Sequence, residues 1–268
     1  MTIQPLKTRD LLALSVLAGG IVSVAAAAEG LRSLAALAVL AAALLDVSLA
    51  PRLAAGARWS RFNKVLLDIC RQVPFGLAPS FAVYLAFRAG ADAGGPGWGI
   101  APAAILASLP CALGCVRFTR DDILVPRLAG VRFGPSQAMV ALAMMGLVHS
   151  HLFAGRPFID ARAPYAPFVF AAGALLLLWL SLQNLSLAPG PERAGRRAWD
   201  FAGLLVVAAA AGGFSEDAAA AADVLAAGLT LALPMRSFLL PPDTRRAARE
   251  ASERFRKEWR EQQGPKSA

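Results

Sequence analysis

The chain has 268 residues, 57% of them hydrophobic and only 17% charged, with a mean hydropathy of +0.53 and a formal net charge of +9. Soluble domains sit near ~45–50% apolar and ~25% charged, so this balance argues against an ordinary soluble domain. The basic surplus argues against nucleic acid too, because the basic residues are dealt out loop by loop beside apolar runs, where anionic lipid attracts them.

A membrane-crossing helix needs about 20 residues. Residues 11–28 form the first uncharged run of that order and read as a first helix, too long for the apolar core of a cleaved signal. Residues 31–50 follow, broken by Arg32 and Asp46, and then the shorter run 73–87 with Pro74 and Pro79 near its start. Runs 93–116, 133–155 and 163–191 are uncharged, while 201–214 is short and 218–240 carries isolated charges. The expectation is an all-α fold, a polytopic integral membrane helical bundle of eight spans. Its many Ala and Gly residues let backbones approach closely, which drives helix association in lipid. With the N-terminus inside, all but Arg32, Arg88, Arg156 and Arg162 of the 27 basic residues fall on the cytoplasmic side, so both ends lie inside. The Gly-rich stretch 93–97 reads as an outer turn.

Beyond Pro241-Pro242 the composition turns charged. Residues 1–240 therefore read as the membrane domain and 241–268 as a basic cytoplasmic tail. Ala251, Phe255 and Trp259 recur on one helical face of that tail, beside the pairs Glu250/Arg254 and Glu253/Lys257, which suits a helix lying on the membrane surface. Cys70, Cys111 and Cys115 form no disulfide framework and read as packing residues. His149 and His151 read as interfacial polar groups at the outer end of their span.

Residues 46–79 carry the most chemical information. Asp46-Val-Ser-Leu49-Ala50 runs through Leu53-Ala54, then Phe62-Asn63, Leu67-Asp68, Arg71 and Phe75-Gly76-Leu-Ala78-Pro79. This stretch resembles the signature of the CDP-alcohol phosphatidyltransferases, most closely the bacterial phosphatidylserine synthase branch, whose pattern D-x-x-D-G-x-x-A-R and G-x-x-x-D-x-x-x-D leads into F-G-x-A-P. Cys115-Val-Arg117-Phe118-Thr119, Gly134-Pro135-Ser136-Gln137 and Pro234-Met-Arg-Ser-Phe238 resemble further segments of that branch, so the likeness spans roughly residues 8–240. It implies a six-helix family core plus two helices in a bacterial inner membrane, with a cavity facing the cytoplasm. It also implies transfer of a phosphatidyl group from CDP-diacylglycerol to an alcohol such as serine. In the family four aspartates on two helices hold Mg or Mn, and the last is credited with deprotonating the alcohol.

In register, only Asp46 keeps an acid. The second aspartate falls on Leu49, the third on Leu67 and the fourth on Arg71, and the polar anchors near the N-terminus fall on Asp10, Ala13 and Val16. One carboxylate beside an arginine cannot seat two divalent cations, so no metal, no cofactor and no catalytic residue is expected. Asp68 stands one residue from the third position, about 100° around the helix, and reads as a structural partner of Lys64 or Arg71. A guanidinium can bind phosphate in place of a metal. Asp46, Arg71, Arg117, Arg61 and Lys64 are therefore the expected vestigial headgroup site, taking a phospholipid or CDP-linked lipid without metal, with Asp46 orienting Arg71. Two alternatives stand beside this reading. One is an active transferase using Asp46, Asp68, Asp121 and Asp122; the other is a non-catalytic subunit paired, as a heterodimer, with an active paralogue, since relatives pair as homodimers.

Overall fold

A computed structural model describes residues 8–54, 61–92, 100–124, 136–149, 166–185, 192–212 and 214–235, with single positions in the tail at 246, 250, 253, 254 and 257. The described residues are all-helical. They form α1 (Thr8–Ala28), α2 (Arg32–Ala54), α3 (Arg61–Gln72), α4 (Ala78–Asp92), α5 (Ile100–Leu124), α6 (Gln137–His149), α7 (Ala166–Leu182), α8 (Glu192–Ala211) and α9 (Glu216–Met235). A π turn, Val73–Leu77, joins α3 to α4, and a 3₁₀ turn, Gln183–Leu185, closes α7. The Gly-rich turn at 93–97 and His151 lie outside the described residues.

α1 and α2 form an antiparallel hairpin. Gly30, at φ +76°, ends α1 in the left-handed conformation, with Leu31 N–H donating to the Ala26 carbonyl at 2.8 Å and Gly30 N–H to Ala27 at 3.1 Å. This is a Schellman motif, which satisfies carbonyls the helix end would otherwise leave open. Along the seam Gly19 faces Ala42, where an added Cβ would stand 3.0 Å from the Ala42 Cβ, and Ser23 Oγ donates to the Ala35 carbonyl at 2.8 Å. Ala35, Ala36, Val39, Ala42 and Ala43 are fully buried there. Small residues make this approach possible, as their abundance in the sequence suggests.

α3, the π turn and α4 make one continuous helix running parallel to α1. Pro74 has no N–H to give, and the ladder widens around it until Ala78 N–H reaches the Val73 carbonyl. The turn packs on α1 at Gly20, where a Cβ would lie 2.5 Å from Pro74 N. In α5, Pro110 interrupts the ladder again, and the Cys111 N–H donates instead to Ser80 Oγ of α4 at 3.2 Å. α6 is the central helix: every residue from Gln137 to Val148 is buried, and Ser136 caps it by accepting from Met139 N–H at 3.2 Å. α8 closes on it, with Leu205 packed directly over Gly146, and Ser33 Oγ of α2 donates to the Ala210 carbonyl at 2.9 Å.

Among the described residues one helix, α1 over Asp10–Ala28, is long and apolar enough to cross a membrane. Ala103–Thr119, Gln137–His149, Ala171–Leu185 and Ala202–Ala211 are shorter apolar helices. One of the eight expected spans thus meets that length-and-composition test. In the tail, Arg246 and Glu250 pair at 3.6 Å, both well exposed; Ala251, Phe255 and Trp259 lie outside the described residues.

Gly20→Ala should lower stability by about 1–3 kcal/mol, because the new methyl must push α1 away from Pro74. Gly203→Ala, whose Cβ would meet only Leu40 Cδ1 at 4.0 Å, should instead gain about 0.5–1 kcal/mol of helix propensity. Comparing the Tm of the two purified variants checks both directions.

Candidate functional site

Asp46 sits in the last third of α2 and Arg71 one residue from the end of α3, and the two meet. Arg71 Nε donates to Asp46 Oδ1 at 2.8 Å and Nη2 donates to the same oxygen at 2.7 Å. Arg71 Nη1 donates to Asp68 Oδ1 at 3.3 Å, so one guanidinium lies between two carboxylates. The Asp46 side chain is 12% exposed and that of Arg71 25%, so the pair is largely withdrawn from water. An acid so placed requires a partner, and the guanidinium supplies three N–H donors toward the two acids. The trio keeps one net negative charge.

Asp68 is held as its spacing suggests, by Arg71 one turn on along the same helix. The cation that bridges Asp46 and Asp68 is therefore protein-borne.

Hydrocarbon stands at the positions where the resemblance would place polar groups. Leu67, in the third aspartate's register position, is 5% exposed and clusters with Ala13 and Cys70, backed by Leu17 and Leu66. Ala13 and Val16, at positions the resemblance would give to polar anchors, are buried as well. A carboxylate at 67 would face alanine and thiol rather than an ion. Burial pushes the Cys70 thiol up from its ordinary value, which keeps it a neutral packing group. Among the described residues no group of three or more His, Cys, Asp or Glu stands where it could hold a metal ion.

A second polar layer adjoins the end of α3. Gln137 Nε2 of α6 donates to Gln72 Oε1 at 3.4 Å. Gly114 of α5 leaves room for this pair, since a Cβ there would run into the Gln137 amide, and a Cβ on Gly76 would lie 2.8 Å from Gln72 Oε1. Arg117, one turn beyond Gly114, is 7% exposed and makes further contact within the protein. Gln183 and Asn184 of the 3₁₀ turn are buried where that turn packs against α5 and α6. Gln137 Oε1 and Asn184 Oδ1 have no hydrogen-bond partner among the described residues.

Of the expected site, Asp46 and Arg71 are thus brought together, and Arg117 is buried on α5. Arg61 and Lys64 lie on α3, but their side chains, like those of Leu49, Asn63, Asp121 and Asp122, lie outside the described residues. The sequence reading passed over Gln72, Gln137 and Asn184 as site residues. The signal was present in the two amides at 183–184 and in Gln137, isolated polar groups within otherwise uncharged runs. Compared with known proteins, the chain matches no family model, no curated protein and no solved structure.

A double-mutant cycle of Asp46→Ala and Arg71→Ala should give a coupling of about 0.5–3 kcal/mol in the unfolding free energy. The cycle of Asp68→Ala with Arg71→Ala should give less than about 0.5 kcal/mol, as for an ordinary helical i,i+3 pair. Thermal unfolding of the singles and doubles measures both.

Proposed function

We propose that the chain is an integral membrane protein of the CDP-alcohol phosphatidyltransferase type that has lost metal-dependent transfer. It binds a phosphorylated headgroup, of a phospholipid or a CDP-linked lipid, without metal. The observation that carries this reading is the guanidinium between Asp46 and Asp68. Phosphatidyl transfer through that site requires divalent charge on the diphosphate and a base for the alcohol. Arg71 brings a single positive charge, already matched by two acids, to the place where ions would sit, and the buried Leu67 withholds the next ligand.

Membrane embedding is supported by the outward faces of the helices. Leu11, Ile21 and Val22 on α1, Leu34 and Leu44 on α2, Ile105 on α5, Leu175 on α7, and Leu204 and Val207 on α8 are all exposed. Aliphatic side chains displayed around several helices at once suit hydrocarbon on the outside better than water. Eight spans with both termini in the cytoplasm follow from the positive-inside count, and the Asp46 end then faces the cytoplasm.

Arg71 has three of its five N–H groups engaged by acids, so headgroup recognition falls chiefly to Arg117, with Arg61 and Lys64 on the neighbouring helix. Asp46 and Arg71 hold α2 to α3 and keep that end of the bundle in shape without an ion.

Purified protein given CDP-diacylglycerol, Mg²⁺ or Mn²⁺ and serine, glycerol phosphate or inositol should release no CMP above the protein-free blank; sustained release would overturn the reading. CDP binding should be the same with and without EDTA and should fall about tenfold or more in Arg117→Gln, the scale of one lost charge-assisted contact. Binding that vanishes in EDTA would place a metal back in the site.

A further inference from the structure

At the opposite end of the bundle from Asp46 the helices enclose a second cationic place. The α1–α2 turn, the C-terminal half of α4 and the end of α6 surround a cavity of about 280 Å³. Its cationic lining is Arg32 and Arg88, joined by the imidazole of His149, from three separate helices, and its walls are apolar: Ala28, Leu85 and Val148 among them. No acidic residue is among the described lining, although Glu29 lies in the same turn. Arg32 and Arg88 are exposed, so the cavity opens to the surface at its charged rim.

We propose that this cavity binds a phosphate-bearing anion, with Arg32 and Arg88 as its donors. Two guanidiniums converging on one opening supply the planar forks that suit phosphate oxygens. Each also makes a contact within the protein, and five N–H donors per side chain accommodate both. His149 contributes a fixed tautomer: its Nδ1 lies 2.6 Å from the Met145 carbonyl, which can only accept, so the proton is on Nδ1. Nε2 is then the ring nitrogen left to accept from a hydroxyl of the ligand. The volume falls just below the ~300–1,000 Å³ of drug-sized sites, which fits a headgroup rather than a whole lipid. Apolar walls behind a cationic rim match the junction of a phosphate with glycerol and the first methylenes of an acyl chain.

The sequence placed Arg32 and Arg88 among only four basic residues outside the cytoplasmic set, and the fold brings these two to one opening. This site is independent of the Asp46 end and survives if the transferase-like reading fails.

The test uses the full chain in a phosphate-free maltoside detergent, titrated with short-chain phosphatidic acid and, separately, with inorganic phosphate, followed by phosphorus NMR line-broadening. Wild type should bind. Arg32→Gln combined with Arg88→Gln should weaken binding by about tenfold or more, and Arg246→Gln in the exposed tail should leave it unchanged. Arg32→Lys with Arg88→Lys, which keeps the charge and spares the fold, should fall between wild type and the glutamine pair. Tight binding of the lipid with weak binding of inorganic phosphate identifies a headgroup site; equal binding of both identifies a free-phosphate site. Failure of wild type to bind either probe, or undiminished binding in the glutamine pair, overturns the proposal.

Discussion

A carboxylate held away from water needs a positive charge within reach, and at Asp46 that charge is Arg71. The two come from different helices, and the contact is made by two N–H groups on one oxygen at 2.8 and 2.7 Å. Removing either partner would strand the other in a poor solvent, which is far more costly than the pair is favourable. The ion pair therefore constrains how α2 and α3 can sit, and through the continuous helix from 61 to 92 it also constrains the π turn and α4. Asp68 adds a weaker hold on the same guanidinium at 3.3 Å.

The residues around the pair are mutually consistent. An aspartate at 67 would stand against Ala13 and Cys70. What stands there instead is Leu67 against Ala13, with Val16 sealed at zero exposure. A polar group buried there without a partner would be costly, whereas the apolar packing found there stabilises the interface directly. The Gln72–Gln137 pair is different in kind: Gln137 keeps a buried acceptor, and glycines at 76 and 114 hold space open beside it.

The two ends of the bundle differ in electrostatic character. At the Asp46 end, one guanidinium lies between two carboxylates. At the α1–α2 turn end, Arg32, Arg88 and His149 gather around a cavity with no acid in its described lining. Neither the two arginines nor the histidine share a helix, so this concentration of charge is a property of how the hairpin and α4 pack on α6. Close packing of small residues permits it: Gly19 against Ala42 and Gly20 against Pro74 draw α1 and its neighbours near enough for their ends to form one rim.

The sequence by itself determined the all-helical fold, because its uncharged runs are of helical length, rich in Ala and Leu, and separated by charge and glycine, which favours helices by propensity. It also suggested that Asp46 and Arg71 belong together, since a lone acid in the apolar run 31–50 needs a partner, and the structure pairs the two. It marked Asp68 as a partner of Lys64 or Arg71 on its own helix, and the structure pairs it with Arg71, because an i,i+3 spacing brings two side chains together on one helix. The Gln72–Gln137 contact joins residues 65 apart in the chain, and the Arg32–Arg88–His149 cavity draws on three helices. Only the tertiary structure decided these, because such contacts depend on the crossing and depth of packed helices, and those are settled by which small residues let backbones close on one another.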